Sequence, residues 1–228
     1  MLRPLPALAL LLTAATVCME SRAQVSGSVA LVSDYLYRGV SLSDGDPVAQ
    51  LNLAYDSPEN WYVGVFASPI KSFAARRLYT AYAGYAWRLG SGMALDAGMT
   101  DYLYAGDALY NYHEAYFGVS LERTSARLSY SPNYTAMHVR TVYADISHGV
   151  ELTGSLNAFV HAGYFHPLDR SPALQRRFDV RAGLTGSAGP FKWLLALDGV
   201  RVAGGAPPPY DMTRRSRAGI VASVTLPF

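Results

Sequence analysis

Cysteine is almost missing from this chain of 228 residues; the only one is Cys18. It lies in a segment expected to be removed. Arg3 gives that segment a positive start, Leu5 to Val17 is apolar, and Ser21-Arg22-Ala23 offers small residues where a signal peptidase reads. The apolar stretch is shorter than the roughly 20 residues a membrane-spanning helix needs. Residues 1–23 are therefore read as a signal peptide and residues 24–228 as one mature domain. A lipoprotein reading at Cys18 is weaker, because Ala15-Thr16-Val17 is a poor lipobox. Once Cys18 leaves with the signal, neither a disulfide nor a thiolate metal site can form.

Lysine is scarce as well: Lys71 and Lys192 are the only two among 19 basic residues. Arginine suits fixed, paired positions better than freely solvated ones. There is no charge excess either. Basic and acidic residues number 19 and 17, and losing Arg3, Arg22 and Glu20 leaves the mature chain near +1. That gives no electrostatic footprint for nucleic acid. After the signal there is no run of 18 apolar residues and no sustained helical period, so a helical membrane protein is excluded.

Catalytic spacings are also missing. The five histidines, His113, His138, His148, His161 and His166, form no H-E-x-x-H pair. There is no G-x-S-x-G elbow and no phosphate-binding glycine loop. A lipid-modifying enzyme at a barrel rim would need an arrangement such as His138 with Ser131 or His148 with Ser147, and no triad-like pattern supports one. The chain reads as a non-enzyme, with no cofactor and no metal site.

What the sequence does have is tyrosine, 17 of them, and alternation. Tyrosine belongs at half-wet interfaces. Segments of about ten residues place apolar side chains at every second position, as membrane-spanning β-strands do. Trp61, Val63, Val65 and Ala67 oppose Tyr62, Gly64, Phe66 and Ser68; Phe178, Val180, Ala182 and Leu184 oppose Asp179, Arg181 and Thr185. In the least clear segment, Val142, Ala144 and Ile146 oppose Tyr143 and Asp145. Twelve such segments can be drawn. The connections alternate between mostly long, such as Gly39 to Asp46, Pro69 to Ala75 and Val202 to Thr213, and mostly tight, such as Ser57 to Asn60, with His148 to Gly154 as an exception. A soluble sandwich or lipocalin-like barrel also alternates. Long charge-free apolar faces and tyrosine and tryptophan near segment ends favour a membrane barrel. The last apolar face, Ala218 to Phe228, ends on an aromatic residue, a pattern that resembles the signal read by barrel-assembly machinery.

The first segment is read as a strand on which Tyr35 and Tyr37 face lipid while Asp34 and Arg38 face the interior. Four residues apart on a strand is about 13 Å, so each of the two charges needs a partner on a neighbouring strand. The candidate lumen-lining residues are Asp34, Arg38, Gln50, Asn52, Arg88, Asp96, Glu114, Arg127, Asp179, Arg181, Lys192 and Asp198; Glu122 is a further candidate interior charge. Their charges set a field across a narrow pore, or pair across strands and fill it. Twelve strands lie between the eight that side chains fill and the 16 that leave a channel.

The stretch "VSDYLYRGVSLSDGDPVAQLNLAYDSPENWYVGVFAS", Val32 to Ser68, resembles the opening of the TorF-type porin family, also called Gcw_chp, through Arg38, Gly39, Ser41, Ser43, Pro47 and Gln50. "NYHEAYFGVSL" and "LSYSPNY" echo it further on, whereas the basic late loops and "GGAPPPY" at Gly204 to Tyr210 depart from it. The resemblance implies a porin-like outer-membrane barrel. Together with the pattern it yields these expectations. The fold is all-β, a closed antiparallel transmembrane barrel of about twelve strands in the outer membrane of a Gram-negative bacterium. Its function is passive diffusion of small hydrophilic solutes or ions; the alternative is a plugged structural or surface-binding barrel. The partners are outer-membrane lipids, lipopolysaccharide phosphates near Arg214, Arg215 and Arg217, the assembly machinery acting on Phe228, and small solutes; nucleic acid is not one.

Overall fold

The computed structural model describes residues 24–72, 74–90, 92–136, 138–171, 174–203 and 217–228. The expected signal peptide and "GGAPPPYDMTRR", with Arg214 and Arg215, lie outside them. The strands are β1 (Gln24–Val32), β2 (Leu36–Tyr37), β3 (Val40–Ser41), β4 (Val48–Asp56), β5 (Trp61–Ser72), β6 (Ala75–Arg88), β7 (Met93–Ala105), β8 (Tyr112–Leu121), β9 (Thr124–Ser131), β10 (Thr141–Thr153), β11 (Leu156–Pro167), β12 (Arg176–Ala188), β13 (Phe191–Ala203) and β14 (Arg217–Pro227). All but β2 and β3 form one closed antiparallel barrel of twelve strands, each next to its neighbour in sequence, with β1 closing on β14. Closure leaves no unpaired sheet edge, which is what a strand-built wall needs in hydrocarbon.

Alternation is what makes the wall. Leu31, Val65, Met99, Phe117, Leu128, Ile146, Val160, Leu195, Leu197 and Ile220 are all exposed and point outward. Such a continuous apolar belt is not tolerable in water and matches the lipid-facing band of a membrane barrel. Tyr55, Trp61, Tyr85 and Trp87 gather toward the tight-turn end, in ring pairs 5.1 and 5.0 Å apart.

The connections are more regular than the sequence implies. β10 runs on through Thr153 and turns at Gly154-Ser155, so the expected exception at 148–154 is a tight turn like the others at that end. On the opposite end β5 and β6 stay paired to Ser72 and Ala75, so the expected long connection from Pro69 to Ala75 is a hairpin. Both differences have one cause: polar residues at a strand's end continue the backbone ladder outside the apolar belt, where side-chain alternation no longer marks it.

The inner face carries pairs of glycine and aromatic residues in direct register. Tyr62 faces Gly84 and Gly64 faces Tyr82 between β5 and β6; Gly98 faces Tyr116 between β7 and β8. Each ring lies over its glycine. A Cβ on Gly64 would sit 2.2 Å from the Tyr82 ring, and one on Gly98 2.6 Å from the Tyr116 ring. The glycines make room for flat rings that fill the interior without pushing the wall apart.

Candidate functional site

The opening stretch is not wall. β1 ends at Val32, and residues 33–47 leave it and fold into the barrel. The expectation that Tyr35 and Tyr37 face lipid is thus overturned: they are 2% and 8% exposed and packed inside. A tight β2–β3 hairpin makes the turn. Its two central residues, Arg38 and Gly39, have φ of 50° and 75°, the left-handed pair that a two-residue turn of primed type requires. Glycine takes that conformation freely; arginine does so at some cost, which its contacts offset. Asp34 accepts hydrogen bonds from the hydroxyls of Ser41 and Ser43. Both hydroxyls belong to its own loop, so Asp34 braces the hairpin. Ser43 Oγ also accepts from Tyr35 N at 2.9 Å, and the Leu42 carbonyl accepts from Lys71 N at 2.6 Å. An ion pair between Lys71 and Asp46 ties the outer end of the loop to β5.

Arg38 reaches almost across the barrel. Its guanidinium holds Glu114 of β8 through two parallel hydrogen bonds of 2.6 and 2.7 Å. It lies over the rings of Tyr143 and Tyr37 at 4.3 and 4.8 Å. Gly39 touches the wall at β12 and β13: a Cβ there would meet Val200 at 2.8 Å and Asp179 at 2.9 Å. The Tyr37 hydroxyl donates to Tyr102 at 2.8 Å. Around it Tyr102 stacks on Tyr112 at 4.4 Å, and Tyr134 bridges Tyr112 and Phe165. With Tyr35, Leu42, Ile70, Leu78, Tyr104 and Leu174 these rings form a buried cluster toward the long-loop end. Excess tyrosine is thus explained by two environments, the outer girdle and this inner cluster. Period alone does not separate them.

Below the hairpin the interior is charged and paired. Asp96 of β7 takes a hydrogen bond from Arg127 of β9 at 2.9 Å, passing over Gly118 of the strand between them. Arg127 also lies over Tyr116 at 4.3 Å. Arg181 donates to Asp198 on the adjacent strand at 2.7 Å. Asp179 accepts from the Tyr143 hydroxyl at 3.2 and 3.3 Å and lies 3.4 Å from His161 Nε2. Arg38, Glu114, Arg127, Asp179, Arg181 and Asp198 line a cavity of about 100 Å³.

The remaining candidates are scattered. Gln50 is buried beside Ser68, its amide donating at 3.5 Å. Asn52 hydrogen-bonds Tyr82. Arg88 and Lys192 sit at strand ends by the tight turns, away from the cluster. Glu122, with φ 51°, is a turn residue. The interior residues that the candidate set lacks are Tyr143, Asp145, Ser147 and His161. For the first three the signal was the weak alternation of β10, where Val142, Ala144 and Ile146 do point away from Tyr143 and Asp145; His161 lies on β11.

A closed antiparallel barrel of twelve strands with an apolar exterior and a charged interior has the fold of the porins. Solved structures agree. A structure described as "NanC porin structure in rhombohedral crystal form" aligns with a TM-score of 0.59 at 8% identity, over 89% of this chain and 99% of that one. One described as "KdgM porin" gives 0.54 at 10% identity, over 89% and 98%. "KdgM porin in complex with disordered oligogalacturonate" gives 0.52 at 9%, over 91% and 98%. At these identities the likeness is one of fold. No curated protein matches the sequence. Residues 17–198 match the family described as "Bacterial protein of unknown function (Gcw_chp)", and the chain belongs to that family.

Proposed function

We propose that this protein is a narrow outer-membrane channel for passive diffusion of small hydrophilic solutes or ions, constricted by its own first loop. The observation that carries the reading is the charged interior below the hairpin. Arg127, Asp96, Arg181 and Asp198 keep side-chain exposures of 12 to 17% inside the barrel, so water reaches them. A barrel built only as a scaffold gains nothing from such a row; apolar packing of the same volume is as stable or more so. Discrimination follows from pore width and from the mixed ring of guanidiniums and carboxylates. The likeness to porins supports the channel class and says nothing of the solute.

The plugged alternative rests on a specific observation too, the tyrosine cluster that packs Tyr35 and Tyr37 to near-complete burial. Planar-bilayer recording separates the two. Small conductance steps from the refolded wild-type chain, growing when Glu114→Gln frees Arg38, support a constricted channel. A silent wild type that conducts only after the hairpin is released supports the plug, and silence in both overturns the channel reading.

A further inference from the structure

The outer wall carries a carboxylate where the fold calls for apolar side chains. On β7 the alternation exposes Met99, Asp101 and Leu103 and buries Thr100, Tyr102 and Tyr104. Met99 and Leu103 are exposed members of the apolar belt, so Asp101 lies within the belt and not beyond its edge. Directly opposite on β8 stands His113, also exposed. Among the described residues neither side chain makes a hydrogen bond or an ion pair. A charge facing hydrocarbon is costly without a partner, and an ionisable residue at that depth marks a site.

The wall around this pair is uneven. Ala81 of β6 faces Asp101, and Ala83 faces Met99. With Val63 and Val65 of β5 they line an open hollow of about 540 Å³ on the outer face, and Asp101 stands at its rim. On the other side of the pair the wall is raised. Phe117 of β8 and Leu128 and Tyr130 of β9 are 50, 51 and 38% exposed.

Acyl chains give Asp101 no donor, and anionic headgroups repel it. A second copy of the chain supplies both a donor for the carboxylate and a filling for the hollow. Place a two-fold axis along the membrane normal between β7 and β8. Strand order reverses across such an axis, so each contact is made twice. Asp101 of each copy then faces His113 of the other. β9 of each copy lies over β6 of the other, which sets Leu128 and Tyr130 against Ala81 and Ala83.

We propose that β6 to β9 form a self-complementary face through which two copies pair in the membrane, Asp101 of each accepting a hydrogen bond from His113 of the other. Pairing requires the barrel in a bilayer and does not depend on conductance.

The test is thiol cross-linking of the refolded mature protein in lipid vesicles at high lipid-to-protein ratio. Cys18 is the only cysteine of the sequence, so the mature chain offers no competing thiol. Ala115→Cys and Met99→Cys place a thiol beside the axis; Ile220→Cys places one on β14, across the barrel. We expect cross-linked dimer from the first two and only collisional background from the third. Asp101→Ala and Asp101→His should each lower the dimer yield of Ala115→Cys several-fold. Adding His113→Asp to Asp101→His should restore it, because the exchanged pair is still complementary. All variants should stay heat-modifiable, since neither side chain is bonded to the wall. Equal yields from all three positions, or none from any, would overturn the pairing. So would an undiminished yield in both Asp101 variants. A chain that stays monomeric, but whose urea midpoint rises with lipopolysaccharide and magnesium only when Asp101 is present, would assign the face to a lipid and also overturn the pairing.

Discussion

Arg38 and Glu114, 76 residues apart in sequence, meet inside the barrel through a two-pronged guanidinium–carboxylate contact. Their side chains are 8% and 3% exposed. Breaking a buried pair by removing one partner costs about 3–5 kcal/mol, because the other charge is stranded; replacing both by apolar or neutral groups of like size costs far less. Arg38→Ala and Glu114→Ala should therefore each lower the urea midpoint of the barrel in lipid vesicles. Arg38→Met with Glu114→Gln should recover most of the loss. Additive losses in the double variant would show that the two residues act independently. All of these variants should still assemble, since no wall hydrogen bond involves either side chain.

Tyr37 gives a second test. Its hydroxyl donates to Tyr102, and its ring packs at 5.6 Å from the same partner. Tyr37→Phe should cost about 0.5–1.5 kcal/mol, the net worth of one hydrogen bond. Tyr37→Arg would bury a second guanidinium beside Arg38 with no free carboxylate for it, at several kcal/mol. Were Tyr37 on the lipid side near an interface, Tyr37→Arg would be nearly silent. Vesicle unfolding followed by tryptophan fluorescence distinguishes the two.

The twelve-stranded wall was legible in the sequence because its cause is local: lipid outside and water or polar groups inside impose period two, strand by strand. Even β10 showed the correct faces. The hairpin was not legible, because Tyr35 and Tyr37 resume the alternation of β1 after a single polar residue on that face, Ser33, and aromatic residues serve equally in a girdle and in a buried cluster. Only the destination of the chain separates them. Arg38 was read as the end of that strand; the left-handed φ of Arg38 and Gly39 marks a hairpin turn there instead. The ion pairs escaped for another reason. Arg127 reaches Asp96 two strands away over a glycine, and Arg38 crosses the barrel, so neither follows from nearest-strand pairing.

Glycines of the inner face should differ in tolerance. A Cβ on Gly64 meets only the end of the Tyr82 side chain, which can swing away. On Gly98 it meets the backbone carbonyl of Ala83 at 2.3 Å as well as Tyr116. The wall cannot yield as a side chain does. Gly98→Ala should therefore lower the urea midpoint clearly more than Gly64→Ala. Equal effects would mean that ring displacement, not wall strain, sets the cost.

At the long-loop end Arg140 and Asp169 clamp two connections together. Asp169 accepts from the Arg140 side chain at 2.6 Å and from its backbone N–H at 2.8 Å. Those hydrogen bonds pull the Asp169 pKa down to about 2. The unfolded value is about 3.9. A depressed carboxyl contributes fully above its unfolded pKa and loses its contribution as pH falls through the folded one. The clamp should hold at pH 4 and open only toward pH 2. Asp169→Asn should loosen it at every pH. A carboxyl titration of Asp169 by NMR with a midpoint near 4 would refute the clamp.

Phe228 sits at the seam where the barrel closes. β1 and β14 share five registered pairs, against twelve for β6 and β7. Pro227 has no N–H to give. Phe228 extends the ladder one residue further: its N–H donates to the Gly27 carbonyl and its carbonyl accepts from Gly27 N, both at 2.9 Å. Its ring lies beside Gly27 and Leu53 but is 67% exposed, so its own burial contributes little. Two roles can therefore be pulled apart. Deleting Phe228 removes both hydrogen bonds, about 1 kcal/mol each, and the aromatic ring. Phe228→Ala removes the ring alone and keeps the backbone pair. If the assembly machinery reads the aromatic group, both variants should reach the periplasm normally and both should yield much less heat-modifiable barrel. Only the deletion should also lower the urea midpoint of the barrel that does form. Normal assembly of Phe228→Ala would leave Phe228 as a backbone clasp on the seam and remove the case for a recognition signal.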